Sequence, residues 1–241
     1  MVLRILIVTA VTAEADSVAR GLRLDGPGPG GVPLPGGYLL RRHADAVDVL
    51  VGGVGPAAVA AATATALARA AVPYDLVVSA GIAGGFQPAA PLGSVVVSDT
   101  IVAADLGAQT PDGHLSVEEL GFGRSTHPVG PALTRRVSDA LTHGGQPHTV
   151  GPVLTVSTAT GTAGRAAELA VRHPGAVAEA MEGFGVAEAA AAHGVPVIEI
   201  RAVSNAVGPR DRAAWRIGEA LDALRHTFQL LSTTVFVEPA P

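Results

Sequence analysis

Short, apolar, β-branched runs recur along this chain, and most of them lead into glycine turns or stretches of helical spacing. Ile5–Val8 runs into a helix that starts at Thr12 and extends toward Gly21, and Leu76–Ser79 runs into Ala80-Gly81-Ile82-Ala83-Gly84-Gly85-Phe86. Runs this short and apolar are what a strand buried on both faces requires, because a sheet covered by helices leaves no face for polar side chains. Val95–Val102, Val153–Ser157 and Val195–Val203 are further strands, while Pro131–Leu141, Ala163–Val171, Met181–Ala192 and Arg210–Leu231 have helical spacing. Strands alternating with helices predict an α/β fold with a mixed, largely parallel central sheet flanked by helices and ligands bound at the carboxyl ends of the strands.

The connections are less regular. A Gly/Pro cluster from Gly26 to Gly37 reads as a surface connection, followed by a hairpin-like pair around Tyr38–Arg42 and Val47–Val51. Gly52-Gly53-Val54-Gly55-Pro56 is a turn before an Ala-rich helix that reaches about Ala71, and residues 105–128 read as one long loop. At 241 residues, 1–241 is expected to form a single domain.

Composition removes several chemistries. The chain has no cysteine, so thiolate nucleophiles, disulfides and cysteine-held metals are out. All 16 basic residues are arginine, and without lysine there is no Walker-type phosphate loop, Schiff base or pyridoxal-phosphate anchor. A net charge of -5 with few aromatic residues argues against nucleic acid as a partner. Glu14 and Asp16 follow the first apolar run too closely for a signal peptide, and Val54 to Val72 is too Ala- and Thr-rich, and broken by Arg69, to span a membrane. A cytoplasmic protein with a small-molecule ligand is expected. Gly81-x-x-Gly84-Gly85 lacks the dinucleotide fingerprint, no zinc-hydrolase His pattern occurs, and no Gly-x-Ser-x-Gly elbow is present, so neither a metal nor a cofactor is expected.

Three polar positions remain. Glu14 sits in the first turn of a helix just past the first strand, and Glu182 starts another helix in a small, apolar setting; a carboxylate in either place is also favoured simply by the helix dipole. Ser204-Asn205 ends a strand, where a turn or cap is the ordinary role.

Taken in order, the opening strand with Glu14, Gly52–Ala58, Ser79–Gly85, Leu92–Asp99, Met181-Glu182-Gly183 and Ile200–Asn205 resemble the nucleoside phosphorylase/nucleosidase family over nearly the whole chain. The resemblance implies a purine-nucleoside substrate, no cofactor and a homo-oligomer. It implies that Glu182, with Met181, binds the ribose hydroxyls, that Glu14 deprotonates the attacking water, and that Ala80, Gly81, Ile82 and Ser204 line the substrate. Family members that use phosphate place arginines in and near the glycine turns; here the turns hold none, which favours water as nucleophile. A phosphorolytic enzyme and a non-catalytic nucleoside-binding module are the alternatives.

Adenine-type members carry Asp where Asn205 stands, and an amide NH₂ can donate to both O6 and N7 of a 6-oxopurine. The tracts Val156–Thr162 and Ser204–Ile217 are similar to those of a branch that releases hypoxanthine from a nucleoside bearing a carboxylated aromatic ketone, in menaquinone biosynthesis. The resemblance then casts Asn205 as the group that holds the leaving base. Adenine-type relatives also have a stacking aromatic near Thr160-Gly161; this chain does not, leaving Phe86 or Phe184 to stack on the base, or weaker stacking. Arg210, Arg212 and Arg216 are the arginines near enough in sequence to meet a substrate carboxylate.

Overall fold

The computed structural model describes residues 3–23, 31–43 and 46–237. Part of the connection expected over Gly26–Gly37, and the turn of the hairpin that follows, lie outside these residues. The first apolar run is β1 (Ile5–Thr9), buried at all five positions between two parallel neighbours, β4 (Val47–Val51) and β5 (Leu76–Gly85). Helix α1 (Thr12–Gly21) follows it, and β2 (Val32–Pro33) and β3 (Leu39–His43) extend the sheet beyond β4 in antiparallel pairs.

Helix α2 (Pro56–Arg69) starts where expected. Gly53 and Gly55 have φ of 93° and 95°, a left-handed turn open to glycine, and Pro56 takes the first helical position, where its missing N–H removes nothing. The second glycine tract behaves differently. Rather than a turn, Ala80–Gly85 is the second half of the ten-residue β5, in register with β12 (Val197–Ala206). The glycines of this tract serve close approach instead: a Cβ at Gly85 would fall 2.2 Å from the Ala90 carbonyl oxygen, and one at Gly81 would meet Glu14.

The strands β6 (Val95–Ala103), β10 (His148–Thr155) and β11 (Ala178–Ala180) complete a mixed sheet ordered β11-β10-β6-β12-β5-β1-β4-β3-β2. Because β11 also pairs antiparallel with the far end of β5, the strands β5, β12, β6, β10 and β11 close on themselves. The expected long loop over 105–128 contains a separate hairpin of β7 (Gly107–Thr110) and β8 (Gly113–Ser116), then β9 (Thr126–Pro128) paired to β6. Thr110-Pro111-Asp112-Gly113 makes its turn, with Gly113 at φ 130° and the Thr110 hydroxyl donating to the Gly113 carbonyl at 3.0 Å.

Helices α3 (Pro131–His143), α4 (Ala163–Arg172), α5 (Gly183–Ala192) and α6 (Ile217–Ser232) flank the sheet. α5 starts two residues later than expected, because Met181 and Glu182 precede the first helical turn. The expected helix over Arg210–Leu231 divides into a 3₁₀ turn at Arg212–Ala214 and α6, leaving Arg210, Asp211, Trp215 and Arg216 as irregular chain. α2 and α5 approach closely because Gly185 faces the Pro56 carbonyl, 2.1 Å from where a Cβ would stand.

Candidate active site

Glu14 is the third residue of α1, where the chain leaves β1, and only 3% of its surface is exposed. One carboxylate oxygen accepts from the backbone N–H groups of Ala10 (3.0 Å) and Val11 (3.2 Å), the other from Ile82 in β5 (2.9 Å). Those three bonds fix the carboxylate, and of its roughly four lone-pair sites one is left to face the cleft. Burial pushes its pKa above the usual carboxylate value; the nearby Arg201 guanidinium and the Ile82 N–H pull it partly back, while the charge of Glu182 adds to the rise. A buried carboxyl whose pKa is raised above the ordinary carboxylate value suits a general base.

Glu182 lies between β11 and α5. Its carboxylate accepts from the backbone N–H groups of Gly55 and Met181, each at 3.3 Å, and stands 3.1 Å from Nη1 of Arg201. Arg201 is in turn buried in the middle of β12, its Nε donating to Glu199 at 2.7 Å and its Nη2 to the Ser79 hydroxyl at 3.2 Å. Burial alone would lower the arginine's pKa, but Glu199, Glu182 and Glu14 together raise it above its ordinary value, so it stays charged. Glu199 is fully buried, which raises its pKa against the pull of Arg201. Its second oxygen, Oε2, has no hydrogen-bond partner and lies against Gly183, where a Cβ would fall 1.9 Å away. Gly81 holds the other side of this cluster: a Cβ there would stand 2.5 Å from Glu14 Oε1 and 2.7 Å from Arg201 Nη1.

Above these groups opens a cleft of about 330 Å³, large enough for a nucleoside-sized ligand, lined by Glu14, Met181, Glu182, Ser204 and Asn205 among others. Asn205 Oδ1 accepts from the Ser204 hydroxyl at 2.9 Å and its Nδ2 donates to the Ala206 carbonyl at 2.9 Å, leaving one amide N–H for a ligand. Two buried carboxylates, one of them raised in pKa, face the same cleft as an amide donor. A model of the phosphorylase superfamily matches residues 4–236. The chain belongs to the phosphorylase superfamily.

Within the superfamily, a futalosine hydrolase of Streptomyces coelicolor is 61% identical over 225 residues, covering 92% of this chain and 92% of the relative. One from Acidothermus cellulolyticus is 48% identical over 226 residues, covering 94% of this chain and 89% of its own. Among solved structures, a 5′-methylthioadenosine/S-adenosylhomocysteine nucleosidase of Helicobacter pylori matches with a TM-score of 0.80 at 19% identity over 98% of both chains. The native futalosine hydrolase of Helicobacter pylori matches with 0.80 at 18% identity, over 97% of this chain and 98% of that one. At such identities these two carry the fold alone.

The superfamily fold gathers Glu14, Ile82, Met181, Glu182, Ser204 and Asn205 around one cleft. Ala80 and Gly81 do not line it: Ala80 is a core residue, and Gly81 lies against Glu14 and Arg201. Nor do the two phenylalanines. Phe86 packs with Val102, Leu154 and Leu169, and Phe184 packs on the His127 ring with centroids 5.2 Å apart, so the base-stacking place expected for them is not where they sit. The aromatic residue lining the cleft is Trp215, and the Arg210 stem covers Gly161.

Four lining or supporting residues carried no role in the sequence reading. Glu179 accepts from the Thr160 backbone N–H at 2.8 Å and from its hydroxyl, fixing the 156–162 segment against the cleft. Trp215 stands in a stretch expected to be helical. Arg201 and Glu199 were legible as two charges inside an apolar strand, which burial obliges to find counter-charges. Among the described residues no group of three or more His, Asp or Glu is placed to hold a metal ion, and no helix is long and apolar enough to cross a membrane.

Proposed function

We infer that this chain is an N-glycosyl hydrolase that cleaves the N-ribosidic bond of futalosine. The observation that carries this conclusion is the identity of 61% and 48%, over nine-tenths of the chain, to two futalosine hydrolases. The cleft agrees with it chemically. Hydrolysis of such a bond proceeds through a sugar cation, so the site must present water on one face and hold the departing base on the other.

In this assignment Glu14 accepts a proton from water through its one free lone-pair site as the water oxygen bonds to the anomeric carbon. Glu182 accepts hydrogen bonds from the ribose hydroxyls, with Met181 and Ser204 beside it. Asn205 donates its free N–H to the leaving hypoxanthine, which departs with the electron pair of the broken bond and takes its proton from solvent. Arg201 is committed to two carboxylates, Glu182 and Glu199, which leaves it a poor phosphate ligand and supports water over phosphate as the nucleophile. The lining runs from Ala10 to Trp215, in keeping with one domain over 1–241. From the family resemblance we take a cytoplasmic homo-oligomer, without cofactor, in menaquinone biosynthesis.

Incubation with futalosine in phosphate buffer tests this. Free hypoxanthine with a reducing sugar is expected; a dominant sugar 1-phosphate overturns hydrolysis, and no reaction overturns the substrate.

A further inference from the structure

The carboxylates lining the cleft are already engaged, Glu14 and Glu182 with backbone N–H groups, Glu182 also with Arg201, and Glu179 with Thr160. The irregular stretch after β12 supplies the opposite charge. Arg210 lines the cleft, and its guanidinium carbon stands 5.2 Å from the ring centroid of Trp215, which lines it too. The Arg212 guanidinium approaches the same ring at 5.8 Å.

Among the described residues neither guanidinium has a carboxylate partner. Among the same residues Arg41, Arg124, Arg165, Arg172, Arg216 and Arg225 are each paired with Asp or Glu, whereas Arg20, Arg69 and Arg135 lack a carboxylate partner as Arg210 and Arg212 do, but do not line the cleft. The acid lying between the two, Asp211, accepts from the Ala213 backbone N–H at 3.1 Å instead of pairing with either. Stacking on an indole covers one face of a guanidinium and leaves its in-plane N–H donors free, which is the geometry a carboxylate accepts bidentately. The Arg210 stem runs over Gly161, where an added Cβ would stand 3.6 Å from its Cδ.

We propose that Arg210, backed by Trp215 and flanked by Arg212, is the subsite for a carboxylate carried on an aromatic part of the substrate away from the scissile bond. The guanidinium fork takes the acid, and the indole that lines the cleft holds the fork in place. This rests on futalosine being the substrate, and it assigns the group that distinguishes futalosine from an unsubstituted nucleoside.

The test compares kcat and KM for futalosine and its methyl ester in the wild type, Arg210→Gln, Arg210→Lys and Arg212→Gln. Wild type is expected to prefer the acid. In Arg210→Gln the acid-to-ester ratio of kcat/KM should fall about 10- to 100-fold, the size of a lost hydrogen bond to a charged group, and mainly through KM. Arg210→Lys should restore part of it, since a point charge lacks the fork. An unchanged ratio in Arg210→Gln, with futalosine still cleaved by wild type, overturns the subsite alone. A ratio that falls in Arg212→Gln and not in Arg210→Gln overturns the assignment to Arg210. Failure of wild type to cleave futalosine overturns the proposed function, and this subsite with it.

Discussion

Gly81→Ala should inactivate the enzyme without unfolding it, although Gly81 touches no substrate. The new methyl would stand 2.5 Å from Glu14 Oε1, 2.7 Å from Arg201 Nη1 and 2.9 Å from Glu14 Cδ, where ordinary contact begins at 3.4 Å. Neither neighbour is a loose chain end. Glu14 is held by the N–H groups of Ala10, Val11 and Ile82, and Arg201 by Glu199, Glu182 and Ser79. Restoring contact distance displaces the Glu14 carboxylate by about 0.9 Å and breaks its bond to Ile82 N–H, an overpacking strain of about 1–3 kcal/mol in stability. A misplacement of that size at a general base lowers kcat by about 10²-fold. The assay is steady-state release of hypoxanthine beside a thermal melt, with Gly164→Ala as control. Gly164 has no atom within 4 Å of its Cβ position and lies in α4, so there alanine should leave kcat as it is and hold or slightly raise Tm. A folded Gly81→Ala enzyme with kcat within about threefold of wild type would refute the role of Glu14 as the positioned base.

Other expectations follow from the same cluster. Glu14→Gln should lower kcat by about 10²–10⁴-fold, the usual size of a lost general base. Because the folded pKa of Glu14 is raised by burial, wild-type kcat/KM should fall as pH drops through a value above 4.5, and a pH profile of Glu14→Gln should lack that limb. The same shift has a stability sign: Glu14 favours the fold below its unfolded pKa, and that contribution is lost as pH rises through the raised one, which melts across the range will read. Arg201→Met should destabilise the protein by about 3–5 kcal/mol, because Glu199 and Glu182 lose their cation, and a denaturant titration checks it. Asn205→Asp sets an ionised oxygen against the Ala206 carbonyl and removes a donor from the base. The hypoxanthine-to-adenine ratio of kcat/KM should fall by about 1–3 kcal/mol, and an unchanged ratio returns Asn205 to a turn residue.

What the residues announced and what they concealed divides along physical lines. Ile5–Thr9 was legible because a strand covered on both faces can hold little but apolar side chains, and that leaves a continuous run to read. The glycines at 81, 84 and 85 were misread because glycine has two uses that look alike in one dimension. Gly53 and Gly55 turn the chain at positive φ, whereas Gly81 and Gly85 stay in a strand and clear room for Glu14 and the Ala90 carbonyl. Only the neighbour in space separates the two cases. Strand β11 was missed for want of length, since three residues carry no period, yet it delivers Glu179 and leads directly into Glu182.

Glu14, Glu182 and Asn205 were found through the order of motifs around them, not through their own surroundings, which by themselves fit helix starts and a turn equally well. Arg201 shows why. A charge in the middle of an apolar strand announces that a counter-charge exists, because an unpaired buried ion would be too unfavourable to keep. One partner, Glu199, is two positions away on the same strand and the same face, so alternation alone makes that pair readable. The other, Glu182, arrives from the β11–α5 junction, and Gly81, which lets Arg201 and Glu14 approach, comes from β5. The buried charge cluster is thus held together by pairings between strands that lie far apart in the chain, and those belong to the closed sheet and not to any local stretch of residues.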